Sequence, residues 1–151
     1  MPHGYCAGVR RAVLTVETYL EKYGAPIYVN HEIVHNKFLV NYFKDKGVIF
    51  EDDLNKIPEH SIMILSAHGV SPQYKEACKK KNLRIVDSTC PLVHKVHHEA
   101  RRFESSGYKL LIIGNKNHQE IIGTTGVADM IVIGSDEDIE AIDPKQYEKS
   151  F

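Results

Sequence analysis

The feature that most constrains the fold of this chain is a regular alternation between helical and strand-like hydrophobic patterns. Helices are predicted where apolar residues recur at helical spacing and a capping side chain, proline or glycine marks the ends. They cover residues 7–23, a segment capped by Asn36 and ended by Gly47, a polar segment after Pro72, residues 91–104, and a short segment from Ser135 to Ile142. Short apolar runs predict strands at 26–29, 48–50, 62–65, 84–87, 110–113 and 130–133. This alternation is typical of the α/β class, in which helices cover a mainly parallel sheet.

Within the predicted helices, apolar side chains form stripes that we expect to face the sheet. The stripes are Val9, Val13, Val16 and Leu20; Phe38, Leu39, Tyr42 and Phe43; and Val93, Val96, Ala100 and Phe103. The run 62–65 is apolar at every position, which predicts a strand that is buried on both faces.

Charge and cysteine usage exclude several classes of protein. Lys and Arg number 19 and Asp and Glu number 20, giving a net charge of −1, so a nucleic-acid-binding or membrane-surface protein is not expected. No apolar run reaches the roughly 18 residues of a membrane-spanning helix. Three cysteines at irregular spacing do not indicate a disulfide scaffold, which predicts a cytoplasmic protein with free, catalytic or metal-bound cysteines.

A repeat is visible in the order of these features. Cys6 and Cys90, 84 positions apart, each precede a predicted helix that ends at glycine and is followed by a strand and a histidine. The repeat predicts a first unit at 1–88, which lacks its N-terminal strand, and a second, truncated unit at 89–151. It also places a third cysteine-bearing unit beyond Phe151. The alternative is that any two α/β units resemble each other.

The positions of two cysteines suggest reactive thiols. Cys6 and Cys90 lie at predicted helix N-termini, where the helix dipole and free N–H groups favour the thiolate, which is a nucleophile and a soft metal ligand. Inert buried cysteines, a Cys–His nucleophilic enzyme and a zinc site that uses His31 and His35 are the alternatives. Two equivalent cysteines fit a shared metal cluster better, and Cys78 on a polar helix is interpreted as incidental.

Three histidines and one acid follow predicted strands. His35, His68 and His118 each come after a strand, at the edge where α/β sheets bind ligands, and imidazoles there can hold phosphate oxygens. Histidines with ordinary hydrogen bonds on the rim are the alternative interpretation. Glu120 is a candidate proton donor. Three further histidines are expected to be mostly exposed to solvent: His94, His97 and His98.

At these motifs the chain resembles the LytB/IspH family of 4-hydroxy-3-methylbut-2-enyl diphosphate reductases. The matching segments are GYCAGVRRAV, YGAPIYVNHEIVHN, GVIF, SAHGV, DSTCPLVHKVH and GNKNHQEIIGTTG. They occur in the family's order and cover almost the whole chain, which corresponds to about the first half of the enzyme.

The resemblance implies a fold of three pseudo-threefold-related α/β units, two of which lie in this chain. It implies that Cys6 and Cys90 are two ligands of a [4Fe-4S] cluster whose third cysteine is missing from this chain. It also implies that His35, His68 and His118 bind the diphosphate of a small allylic substrate and that Glu120 donates a proton. The implied reaction is reductive removal of a hydroxyl group, giving isopentenyl and dimethylallyl diphosphates, with electrons from a redox protein such as ferredoxin or flavodoxin.

Two other functional hypotheses stay open beside a reductase fragment. One is an inactive remnant of such an enzyme. The other is a small phosphate- or metal-binding module that uses the same three histidines.

Overall fold

A computed structural model describes residues 4–143 of the protein, and it has the predicted alternation of helices and strands. The helices are α1 (Ala7–Tyr23), α2 (Lys37–Asp45), α3 (Pro72–Lys80), α4 (Pro91–Ser105), α5 (Gln119–Thr125) and α6 (Asp136–Glu140). The strands are β1 (Ile27–Val29), β2 (Val48–Phe50), β3 (Ile62–Leu65), β4 (Arg84–Asp87), β5 (Leu110–Ile113) and β6 (Met130–Ile133), and Leu54–Lys56 form a 3₁₀ turn. The end of the second predicted unit, residues 144–151, lies outside the described part.

The strands form two separate parallel sheets. The first has the order β2-β1-β3-β4, and the second pairs β5 with β6. The prediction of an α/β protein with mainly parallel sheets is therefore confirmed. Within residues 4–143, none of the helices has the length and apolar character that a bilayer crossing requires.

The first sheet has a hydrophobic core on each face because its side chains alternate. Ile62 and Ile64 of β3 point towards α1 and α2, where they meet Val16 and Phe43. Met63 and Leu65 point to the other face, towards a second cluster that includes Cys78 of α3. All four residues of β3 are buried, as the uniform apolar run predicted.

Two of the predicted apolar stripes need correction. In α2, Leu39 and Phe43 are buried, but Phe38 is 74% exposed because it lies about 100° around the helix from Leu39. In α4, Val93 is buried, whereas Val96 is 45% exposed and His97 takes the inward position. Residues 93 and 97 are one turn apart, so the inward line of α4 passes through the histidine and not through Val96.

Helix α5 has no counterpart among the predicted elements. It spans only Gln119–Thr125 and contains Gly123, four polar residues and only two apolar ones, so a search for apolar periodicity does not detect it. Its position matters because it carries Glu120 and is capped by His118.

The order of strands in the first sheet creates a switch point. From β1 the chain crosses through α2 to β2 on one side, and from β3 it crosses through α3 to β4 on the other side. Adjacent connections therefore leave the sheet in opposite directions at the carboxyl ends of β1 and β3. Crevices of this kind are where open α/β sheets bind ligands.

Candidate functional site

Three predicted site residues leave the first sheet at this switch point. His35 follows β1, His68 follows β3, and Cys90 follows β4. The loops after β1 and β3 are joined by the buried side chain of Asn30, whose Oδ1 accepts a 2.7 Å hydrogen bond from the N–H of Ser66. This bond links the two loops that carry the histidines, and sequence reasoning did not identify Asn30.

The second sheet contributes through helix α5, which packs against the loop after His68. A Cβ atom on Gly123 of α5 would lie 3.1 Å from the carbonyl oxygen of Gly69. Glycine at this position therefore permits a close approach of the two backbones, and a larger residue would move α5 away. The contact brings His118, the N-cap of α5, against His35.

All six predicted site residues line one cleft of about 510 Å³. They are Cys6, His35, His68, Cys90, His118 and Glu120. Apolar residues, among them Val9 and Val93, form much of the remaining wall. A larger cleft of about 700 Å³ at the carboxyl ends of β5 and β6 is lined by no cysteine and no histidine, so the smaller cleft is the candidate site.

The two cysteines occupy equivalent local positions, as predicted. Cys6 is the N-cap of α1, where its Sγ accepts a 3.5 Å hydrogen bond from the N–H of Val9, and Cys90 is the N-cap of α4. Gly8 lies between them: a Cβ atom there would be 2.6 Å from Cys90 Sγ and 3.9 Å from Cys6 Sγ. The two sulfurs are therefore no farther apart than the sum of these distances, 6.5 Å.

The histidines form a cluster of four rings, one more than predicted. The ring centroid of His35 lies 4.3 Å from that of His68 and 5.1 Å from that of His118. The fourth ring belongs to His31, whose centroid is 6.1 Å from that of His68 and whose Nδ1 lies 3.2 Å from the Asp52 carboxylate. Because Asp52 follows the neighbouring strand β2, the sheet order was needed to find this pair.

Hydrogen bonds determine which ring nitrogen carries the hydrogen in His118 and His35. The Nδ1 atom of His118 accepts the backbone N–H of Glu120 at 3.2 Å, so the neutral ring carries its hydrogen on Nε2. The Nε2 atom of His118 lies 3.1 Å from Nε2 of His35, which must then accept its hydrogen. The hydrogen of neutral His35 is thus on Nδ1, facing the Glu32 carboxylate at 3.9 Å.

His68 is the most buried member of the cluster, at 7% exposure. Burial is the main cause that lowers its pKa from 6.5 to about 4, and the nearby His35, His31 and His118 contribute to this shift. Its Nδ1 is 3.3 Å from the hydroxyl of Ser66. At neutral pH His68 is therefore a neutral hydrogen-bonding group, and a bound anion would favour its protonation.

Two other predictions concern residues outside the cleft. Cys78 is fully buried in the core under α3, and burial raises the pKa of its thiol to about 11, so it is a protonated core residue. His97, expected to be exposed, is instead only 6% exposed, and its Cε1 atom lies against Gly69 in the loop after β3. His94 and His98 are exposed, as predicted.

No group of three or more His, Cys, Asp or Glu side chains within residues 4–143 is arranged to hold a metal ion. The described region therefore offers two thiols and a histidine cluster, without a complete protein-built metal site.

Comparison with known proteins identifies one family. The family model described as LytB protein matches residues 1–150. A 4-hydroxy-3-methylbut-2-enyl diphosphate reductase of Acidothermus cellulolyticus is 54% identical over 127 residues, which are 84% of this chain and 37% of that protein. The enzyme of the same name from Cutibacterium acnes is 53% identical over 127 residues, 84% of this chain and 39% of that protein.

Solved structures with the same fold carry similar descriptions. The E-1-hydroxy-2-methyl-but-2-enyl-4-diphosphate reductase from Plasmodium falciparum matches with a TM-score of 0.89 and 43% identity, over 94% of this chain and 45% of that one. A structure of (E)-4-hydroxy-3-methyl-but-2-enyl diphosphate reductase, described as the terminal enzyme of the non-mevalonate pathway, matches with a TM-score of 0.78 and 37% identity. It covers 90% of this chain and 50% of that chain. The chain thus spans about two-fifths of the length of these curated relatives.

Proposed function

The chain belongs to the LytB family, and from this premise we propose that it carries part of the active site of a 4-hydroxy-3-methylbut-2-enyl diphosphate reductase. The proposed reaction converts (E)-4-hydroxy-3-methylbut-2-enyl diphosphate to isopentenyl and dimethylallyl diphosphates. The observation that supports it is the convergence of two cysteines, three histidines and one glutamate on a single cleft.

The residues present fit two protein ligands of a [4Fe-4S] cluster. Cys6 and Cys90 are helix N-caps whose sulfurs approach the same side of Gly8, which has no side chain to fill the space between them. When bound, such a cluster supplies electrons and an iron with an open position for substrate. We propose that its third thiolate comes from outside residues 4–143 and that a redox protein of the ferredoxin or flavodoxin class supplies the electrons.

The histidine cluster is proposed to hold the diphosphate group. His35, His68 and His118 present imidazole rings within one cleft, and the hydrogen of neutral His118 lies on the nitrogen that faces His35. A diphosphate would offer acceptor oxygens to these N–H groups and would make protonation of the rings more favourable. Because the pKa of His68 is lowered, this ring is neutral at neutral pH and could take up a proton when the diphosphate binds.

Glu120 is proposed to donate a proton during the reduction. Its place in the first turn of α5 puts its carboxyl group at the wall of the same cleft, next to His118. Removal of the hydroxyl group as water requires two electrons and two protons: the C–O bond breaks, one proton leaves with the hydroxide, and the other adds to the allyl carbon. Among the described residues that line the cleft, Glu120 is the one with a carboxyl side chain.

The division into units 1–88 and 89–151 belongs to the same proposal. The first sheet lies in residues 27–87 and the second in residues 110–133, so each proposed unit contains one sheet. Each unit would then contribute one cysteine to the cluster.

A second candidate function is binding of a phosphate group without redox chemistry. It is favoured by the absence, within residues 4–143, of three side chains arranged for one metal ion. In that case His35, His68 and His118 would bind an anion, and the cysteines would have no role.

The decisive experiment compares cysteine variants of the chain after anaerobic incubation with iron, sulfide and a small thiol that can serve as an external third ligand. We expect iron and sulfide to bind to the wild-type chain and to be lost in Cys6→Ala and Cys90→Ala. Cys78→Ala is the matched control and should keep both. Equal iron and sulfide in Cys90→Ala and Cys78→Ala would reject the ligand assignment and leave the anion-binding module as the better function.

A further inference from the structure

A second, smaller cavity lies between α3 and α4 and shares no residue with the histidine cleft. Its volume is about 270 Å³, and it is lined by Val70, Pro72, Lys75, His94, His97 and Arg101. Four of these six side chains carry nitrogen donors, and none carries a carboxylate. For a chain with a net charge of −1, this is an unusual local excess of basic groups.

The basic side chains of α4 face the cavity because of their spacing. His94, His97 and Arg101 lie at positions i, i+3 and i+7, which share one face of a helix. Lys75 reaches the same cavity from the first turns of α3, across from this face. The sequence pattern His-x-x-His-x-x-x-Arg thus places three basic side chains of α4 on one side of the cavity, and Lys75 of α3 lines it as well.

His97 contains a polar atom that the described structure leaves without a partner. The residue is 94% buried, and its Nε2 makes no hydrogen bond. A buried nitrogen that lacks a hydrogen-bond partner is unfavourable, because it has lost its contact with water without a replacement. Burial lowers the pKa of His97, and Arg101, His94 and Lys75 act in the same direction while the Asp87 carboxylate opposes them, so the ring is neutral at neutral pH.

The nearest carboxylate is already engaged. Asp87 accepts a hydrogen bond from Lys75 at 2.6 Å and one from the backbone N–H of Thr89 at 3.0 Å. Although burial opposes its ionisation, these bonds lower its pKa to about 2. Asp87 therefore balances the charge of Lys75 and also lies 3.9 Å from Nε2 of His94. The exposed guanidinium of Arg101 makes no ion pair or hydrogen bond with a side chain in residues 4–143.

We propose that the cavity between α3 and α4 binds a small oxyanion of the phosphate class, held by the Arg101 guanidinium and by the side chains of His97 and Lys75. Such an anion would satisfy the buried imidazole nitrogen and neutralise Arg101 through charge-assisted hydrogen bonds. The site is independent of the reductase proposal, since none of its residues lines the histidine cleft.

The test is a titration of the wild-type chain with inorganic phosphate at constant ionic strength, followed by NMR of the histidine ring nitrogens. The ring signals of His97 report this cavity, and those of His68 and His118 report the cleft. We expect His97 to shift along a saturating curve. In Arg101→Gln, the half-saturating phosphate concentration should rise by about tenfold, as expected for loss of one charge-assisted contact.

Arg102→Gln is the matched control, because it removes the same charge from the adjacent position, where Arg102 pairs with Glu99 at 2.6 Å instead of lining the cavity. His118→Gln should leave the His97 curve unchanged. An equal effect of Arg101→Gln and Arg102→Gln would mean that phosphate responds only to overall charge, and the proposal would be wrong. Absence of a His97 shift in a chain whose cleft histidines do shift would also overturn it, without touching the reductase proposal.

Discussion

The two sheets of this protein are built from nearly the same kind of strand yet reach very different states of burial. Strand β3, with the sequence IMIL, is buried at every residue. Strand β5, with the sequence LLII, has only Leu110 buried, and its last residue, Ile113, is 81% exposed. Apolar content alone therefore does not determine burial of a strand.

Neighbouring elements account for the difference. Strand β3 lies between β1 and β4 and has helices on both faces, whereas β5 pairs only with β6 within residues 4–143. A two-stranded sheet has little stability of its own and depends on what packs against it. Here α4, α5 and α6 are those partners, and α5 also contacts the loop after β3 through Gly123.

The two sheets both contribute residues to the cleft, but their structural support differs. The first sheet provides a rigid platform from which His35, His68 and Cys90 emerge. The second sheet contributes His118 and Glu120 from α5, a helix of seven residues that packs against a sheet of only two strands. We therefore expect the half of the cleft built on α5 to be the more easily displaced.

The largest expected effect is loss of core packing in the first sheet. Phe43→Ala removes a fully buried ring and should lower the free energy of unfolding by about 3–5 kcal/mol. Ile131→Ala on β6, where the side chain is 37% exposed, should cost less than about 1 kcal/mol. Urea unfolding followed by circular dichroism measures both. Equal losses would mean that the second sheet is as well packed as the first.

The next effect is a pH dependence that belongs to the first sheet. The pKa of folded His68 is about 4, below its ordinary value of 6.5, so the unfolded chain takes up this proton first. Stability should therefore fall as pH decreases from about 6.5 to 4, by roughly 3 kcal/mol if His68 acts alone.

The measurement is the free energy of unfolding at several pH values in wild type and in His68→Gln. The variant should lose most of the slope in this window. His98→Gln, which changes an exposed histidine of α4, is the control and should keep it. An unchanged slope in His68→Gln would contradict the assignment.

A smaller effect is expected at the contact between the two sheets. Gly123→Ala places a methyl group 3.1 Å from the Gly69 carbonyl oxygen, so α5 must shift by a few tenths of an ångström. We expect a loss of about 1–2 kcal/mol in stability. Because His118 caps the same helix, the affinity for inorganic pyrophosphate should also decrease, which isothermal titration calorimetry measures. Thr125→Ala, on the same helix, should leave the affinity unchanged.

Sequence patterns predicted the strands well because each is a short, uniform apolar run bounded by turn residues. They also found Cys6 and Cys90, since a residue before a helix is a local feature. They missed the inward position of His97, because burial of this polar side chain depends on tertiary contacts with the loop after β3, which the local sequence of α4 does not show. They missed the His31–Asp52 pair for a related reason: the two residues follow strands that are neighbours only through the sheet order.

The smallest expected effect compares two Lys–Asp pairs of similar length, one in each region. Lys75 and Asp87 lie 2.6 Å apart beside β4, and about a third of each side chain is exposed. Lys116 and Asp138 lie 2.5 Å apart beside β5 and β6, where Lys116 is 55% exposed. Solvent screens the second pair more effectively, and Lys116 loses more side-chain conformational entropy when it pairs.

Lys75→Gln should therefore lower the free energy of unfolding by about 1 kcal/mol at neutral pH, whereas Lys116→Gln should have no measurable effect. The folded pKa of Asp87 is depressed to about 2, so its stabilising contribution is present above about pH 4 and decreases as the pH falls towards 2. The difference between wild type and Lys75→Gln should decrease over the same range. A difference that is undiminished at pH 2 would assign the effect to packing of the lysine stem instead of the ion pair, because about half of the carboxylate is protonated at a pH equal to its pKa.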